Sequence, residues 1–256
     1  MQTEINAKLV KRLLDVVDQG LCSGVGNGTP GHMCVEAAAS YVVDGDGKSD
    51  MPSCVHAVVR RFKIALNDKK WSSEQARALG MREVAVAQLG SLDIDPEVFV
   101  KYVVEQTIRR IVPIALRAIG LEAEAVRCEQ EGTCTAVRAG QAAANKVYSS
   151  RRAYAAAAYA AYADAYAAYA AAAYAAAAYA AAAADAAADA YAADAADADA
   201  DAADAAAADA ADAAAADAAY GKKRDEILTL SATIAAEALK VCGAAGAAYL
   251  HLCNTK

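Results

Sequence analysis

Each of the three histidines lies two residues from a cysteine: His32 with Cys34, Cys54 with His56, and His251 with Cys253. Cys and His are the usual donors for zinc, so metal ligation is the first chemistry to weigh. On a helix, however, residues two apart point about 200° away from each other and cannot share one ion. CxxC spacing is absent as well. The reading is core or boundary residues, with no metal site and no cofactor expected. A cysteine nucleophile would need a histidine and an orienting acid close by. Cys34 with Glu36, or Cys54 with His56, are conceivable pairs, but small thiols on apolar helix faces are the commoner occurrence. Glu36, Glu83 and Glu105 fall on separate helices, so no carboxylate pair is evident. No catalytic residue is assigned, and the expectation is a protein that is not an enzyme.

Two loops invite a ligand. CSGVGNGTPGH, after Gly20, is glycine-dense and runs into a helix near Met33 to Val43, as a phosphate cradle does. It lacks GK[ST] and follows a helix instead of a strand, so a helix–helix connector is the plainer reading. DGDGKSD, from Asp44 to Asp50, has Ser49 where a calcium loop needs Gly and Val55 where it needs Glu. It reads as a solvated turn. A polar cluster remains at a helix–helix turn: Arg60, Lys63, Asn67 and Asp68 with the single tryptophan, Trp71. It is a candidate interaction surface with Trp71 as anchor; the alternative for Trp71 is a hydrophobic cap on the core.

The elements that position these residues read as helices throughout. Ile5, Leu9, Leu13 and Val16 mark one face of a first helix that stops at Gly20. Asp50 is expected to cap a helix over PSCVHAVVRRFKIALN, with Pro52 in its first turn. Val55, Val59, Phe62 and Leu66 would point inward there, and Arg60, Arg61 and Lys63 outward. Ser72 and Gln75 form a capping box for a helix ending at Gly90. Asp95 and Pro96 open a long apolar helix, with Phe99, Val103, Ile111 and Ile114 inward, and Pro113 should kink it. Leu121 to Glu131 ends at Gly132, and Thr133 caps the next segment. After Gly221, KKRDEILTLSATIAAEALKVC is a last helix with Ile227, Leu230, Ile234 and Leu239 inward. No stretch alternates as strands do. The fold class is all-α: a helical bundle with a long Ala-rich helix or helical hairpin.

That Ala-rich stretch runs from Ala153 to Tyr220 and contains only Ala, Tyr and Asp. Alanine is the best helix former, and no Gly or Pro interrupts it. Large residues recur mostly every five positions, which spreads them around a helix axis at about 140° per step. A pentapeptide β-helix would want large apolar residues inward and finds only Ala or Asp. A second pattern makes a true helical stripe: Tyr159, Tyr162, Tyr166 and Tyr169 recur 35 positions on as Asp194, Asp197, Asp201 and Asp204. The uncharged run Ala165 to Ala184 has the length of a membrane span but lacks Leu, Ile and Val, and is not expected to insert. The chain divides into a helical body, 1–152, this tract, 153–220, and a C-terminal helix, 221–256, packing back on the body.

Formal net charge is −7 over 256 residues. Setting aside the eleven Asp of the tract, which has no Lys or Arg, leaves +4. A mildly basic body thus carries an acidic arm, which favours a basic partner or self-association over nucleic acid or membrane. The N-terminus, MQTEINAKLVKRLL, has no apolar signal core. Seven cysteines without a framework spacing suit free thiols, and the expected location is the cytoplasm.

PGHMCVEAAASY, then DMPSCVHAVVRRFKIALNDKKWSSEQARALGMREVAVAQLGS, resembles the bacterial immunity proteins of polymorphic toxin systems. PEVFVKYVVEQTIRRIVPIALRA and an Ala-rich tract before a closing RDEIL helix fit the same pattern. The resemblance covers most of the chain and is strongest from Pro30 to Ser91. It implies an all-helical cytosolic protein that binds and blocks a toxin without catalysis. Two other functions stay open on the residues themselves. One is a self-assembling structural protein built through the tract, with small residues letting helices approach and Tyr joining neighbours. The other is a small-molecule or nucleotide binder using the Gly20 to Gly31 loop.

Overall fold

The computed structural model describes residues 4–150 and 214–254. The tract's Asp194, Asp197, Asp201 and Asp204 lie outside the described residues, as does most of Ala153 to Tyr220. Among the described residues there is no β-strand; Gly26 and Met33 form one isolated antiparallel bridge. The helices are α1 (Ala7–Val17), α2 (Val35–Val43), α3 (Ala57–Asn67), α4 (Glu74–Ala87), α5 (Pro96–Arg110), α6 (Val112–Ala118), α7 (Glu122–Glu131), α8 (Cys134–Ser150) and α9 (Ala214–Val241). A 3₁₀ segment, Ala245–Asn254, closes the described chain.

The capping chemistry explains most boundaries. The Asn6 side chain accepts from Lys8 N and Leu9 N to start α1, and Asp95 accepts from Glu97 N and Val98 N, with Pro96 in the first turn of α5. Pro113 does more than kink: it lacks an amide to donate, and the helix breaks at Ile111 into α5 and α6. Gly132, left-handed at φ 63°, ends α7. Thr133 Oγ1 then accepts from Ala136 N, in the first turn of α8.

Three boundaries differ from the sequence expectation. α3 starts at Ala57, not Pro52, and its cap is His56, whose ring Nδ1 accepts from Val58 N. Asp44 takes the amide and hydroxyl of Ser53, holding the residues before α3 in a turn. Ser73, not Ser72, caps α4, because the Ser72 amide and hydroxyl are both bound to Asp225 of α9. Finally, α9 begins at Ala214 and passes through Gly221 without a break, so the last helix starts inside the Ala-rich tract. A single helical Gly costs about 1 kcal/mol against Ala, too little to stop a helix that is anchored further on.

The core forms around α4, which is buried on nearly all sides: Ala78, Gly80, Met81, Val84, Ala85, Val86 and Ala87 are inside. It packs against α9, α1, α2 and the 3₁₀ segment. α9 meets it with Ile227, Leu228, Ala232, Ile234, Ala235 and Leu239, and also covers α5. Small side chains on both helices let the two backbones come close. The limit is reached at Gly80, where an added Cβ would overlap the Trp71 ring and the Thr229 hydroxyl. The 3₁₀ segment approaches as tightly at Gly246, whose amide donates to Leu89 O at 2.7 Å. A second, smaller cluster unites Ile108, Val112, Leu116, Ala125, Cys128, Ala136 and Val137 from α5 to α8. Val104 touches both clusters and joins them.

This packing predicts that Gly80→Ala destabilises the protein by roughly 1–3 kcal/mol, since an extra methyl must displace the tryptophan or α9. Urea unfolding followed by Trp71 fluorescence measures it; an unchanged midpoint would mean that α4 and α9 have slack at this point.

Candidate functional site

The residues singled out around Trp71 come together, but not as an exposed surface. Lys63, Asn67 and Trp71 are buried, Arg60 is half-buried, and only Asp68 is exposed. Trp71 lies on the core beneath Gly80, and its ring N–H donates to Leu66 O at 3.1 Å. Of the two readings of this residue, the core cap is the one the structure realises. Lys63 was expected on the outer face of α3 and sits on its inner face instead.

Asn67, Asp68 and Arg77 form a latch for the glycine-rich loop. The Asn67 amide donates to Cys22 O at 2.9 Å, and its carbonyl accepts from Val35 N at 3.3 Å. Asp68 accepts from Gly24 N at 2.8 Å and from Ser23 Oγ at 3.3 Å. Arg77 reaches across from α4 to Leu21 O and Asn67 O, both at 2.8 Å. The loop is thereby sewn to the end of α3. The N-terminus of α2, where a phosphate would sit, already has Asn67 on Val35 N and the Cys34 sulfur on Ala37 N. Arg82 does a similar job from the middle of α4, pairing with Asp18 at 2.7 Å and donating to Cys253 O of the 3₁₀ segment.

Behind the latch lies the most unusual group in the body. Glu36 of α2 and Lys63 of α3 face each other with Nζ and Oε1 2.7 Å apart, and both side chains are 0% exposed. Desolvation pushes the Glu36 carboxyl up and the Lys63 amine down from their ordinary values. Each is the other's principal restoring charge, and Arg60 also favours the carboxylate while Asp50 opposes it. Cys34 and Cys54 are near Lys63, and burial raises both thiols, Cys34 to about 11. A thiol so raised stays protonated at neutral pH and is a poor nucleophile. His56 cannot serve Cys54 as a base in this geometry, because its Nδ1 is occupied by the α3 amide. Cys253 is likewise raised to about 11 by burial. All seven cysteines are free.

Among the described residues no three His, Cys, Asp or Glu gather as metal ligands, and no helix is long and apolar enough to cross a membrane. Comparison of the chain with protein-family models, curated proteins and solved structures returns no match.

Sequence reasoning missed the Glu36–Lys63 pair, although a signal was there. Lys63 stands four residues after Val59 and three before Leu66, on the stripe read as inward, and Glu36 stands among Ala and Val in α2. A charge on an inward stripe is a request for a partner. Arg77 and Arg82 are buried on α4 as well, where the sequence offers no clear inward stripe.

Removing Lys63 alone should strand a buried carboxyl. Lys63→Met is expected to cost roughly 3 kcal/mol, and Glu36→Leu with Lys63→Met to recover most of it. Chemical denaturation of the three proteins checks this; a double variant no more stable than the single one would contradict it. For the latch, Asp68→Ala should speed hydrogen exchange at Gly24 and its neighbours while leaving α4 and α5 protected.

Proposed function

We propose that the chain is a non-enzymatic helical binding protein that works in the cytoplasm and neutralises a toxin by direct protein–protein contact. The observation that carries this reading is what the reactive-looking groups do. His56 caps α3, Asn67, Asp68 and Arg77 hold the glycine-rich loop, and Glu36 and Lys63 are sealed in the core. Chemistry-bearing side chains are thus engaged in building a body, as befits a scaffold that presents a surface. The resemblance to immunity proteins of polymorphic toxin systems points the same way, and so does the closed N-terminus of α2, which disfavours a nucleotide in that loop.

The contact surface we assign to the tract, on its charge. Its eleven Asp give a surface suited to a basic partner, and complementary charge speeds the capture of such a partner more than it raises final affinity. Nucleic acid and membranes, both anionic, are not the partners of an acidic arm.

Tagged full-length protein, recovered at physiological salt from the cells that make it, should bring down one basic protein in near-equal amount. Exchanging Asp194, Asp197, Asp201 and Asp204 for Lys should slow that association at least tenfold and remove most of its salt dependence. Bait recovered only as multiples of itself would instead favour self-assembly through the tract.

A further inference from the structure

We propose that Glu36 and Lys63 share a single proton as a carboxylic acid and an uncharged amine, a neutral couple that keys α2 to α3 inside the core. Three observations carry it. Both side chains are completely withdrawn from solvent, and the 2.7 Å contact leaves no room for water between them. Beyond that contact they have no partner: Glu36 Oε1, Glu36 Oε2 and Lys63 Nζ are all buried without a hydrogen bond of good geometry. An ammonium has three donors to satisfy and a carboxylate about four acceptor sites, so two ions here would leave most of their valence empty in apolar surroundings. As acid and amine the same atoms carry no charge to solvate, and the sites left unmet are neutral ones, whose desolvation costs far less.

The surrounding charges do not reverse this. Arg60, half-buried on α3, favours an ionised Glu36, whereas Asp50 from the loop before α3 disfavours it. Cys34, at the start of α2, and Cys54, in that same loop, are near Lys63 but are held in the uncharged thiol form by burial. The first turn of α2 would attract negative charge at Glu36. Its amides at Val35 and Ala37, however, are already engaged by Asn67 and the Cys34 sulfur. Desolvation is accordingly the largest influence on both groups.

Moving the proton between the partners leaves the number bound unchanged, so the ionic and neutral forms respond alike to pH in a stability titration. Spectroscopy separates them. In full-length protein labelled with ¹³C at the glutamate carboxyls, one resonance should hold the protonated position from about pH 5 to pH 9, where ordinary glutamates are ionised. It should vanish in Glu36→Gln. In parallel, ¹⁵N-lysine labelling of the unaltered protein should show one amine-type Nζ among ammonium signals, which decides the matter even if the variant does not fold. Carboxylate positions for every glutamate at neutral pH, together with ammonium shifts for every lysine, would overturn the proposal.

Discussion

The close contact of α4 with α9 is the constraint on which the rest of the body depends. α4 presents small residues, Ala78, Gly80, Ala85 and Ala87, and α9 answers with Ala232, Ala235, Ala236 and Ala238 among its larger side chains. A helix buried on nearly all sides must be covered by several partners, and here α1, α2, α9 and the 3₁₀ segment share that task. Two of the four are far away in sequence: α9, which starts in the last residues of the Ala-rich tract, and the 3₁₀ segment after it. The core is therefore not a property of the first 150 residues: the chain must leave through α8 and return as α9 before Met81, Val84 and Trp71 are enclosed. Asp225 binding Ser72, and Arg82 binding the Cys253 carbonyl, fix where the returning segment lands.

Polar groups inside the body serve register more than stability. Apolar helices packed by small residues can slide past one another at little cost, because one Ala row resembles the next. A buried Glu–Lys couple, an arginine joining a loop carbonyl to the last carbonyl of α3 and an aspartate on a loop amide each have only one fitting position. Replacing such groups by well-packed apolar ones often leaves stability unchanged or raises it, so their contribution here is read as specificity of arrangement. The second cluster is organised the same way at its surface, where Arg109 donates to the last carbonyls of α7 and Arg117 bridges Glu122 and Glu129. These exposed pairs are worth little individually, but they fix the angle between α5, α6 and α7.

Where local chemistry decides structure, the sequence was legible. Asp95–Pro96, Pro113, Gly132 and Thr133 mark their boundaries through capping or a missing donor, and the inward stripes of α1 and α5 follow from periodicity. Legibility failed where a distant residue decides. Ser72 looks like the better half of a capping box until Asp225, 153 positions away, claims its hydroxyl. Asp50 looks like a cap until Asp44 holds Ser53 in a turn and His56 takes the role. Lys63 was misplaced because charged residues are assigned to the outside by default, and a pattern argument sees no partner on another helix. Of the candidate surface around Trp71, Lys63, Asn67 and Trp71 face inward, while Asp68 is exposed and Arg60 half-buried.

Native-state hydrogen exchange tests the central claim most directly, namely that α4 and α9 are one cooperative unit closing the core. The account predicts that amides of Met81 to Ala87 and of Ile227 to Leu239 belong to the slowest-exchanging set and open together, at the free energy of global unfolding. Exchange of α9 at a markedly lower free energy, with α4 still protected, would show that the body closes without it and would contradict the account.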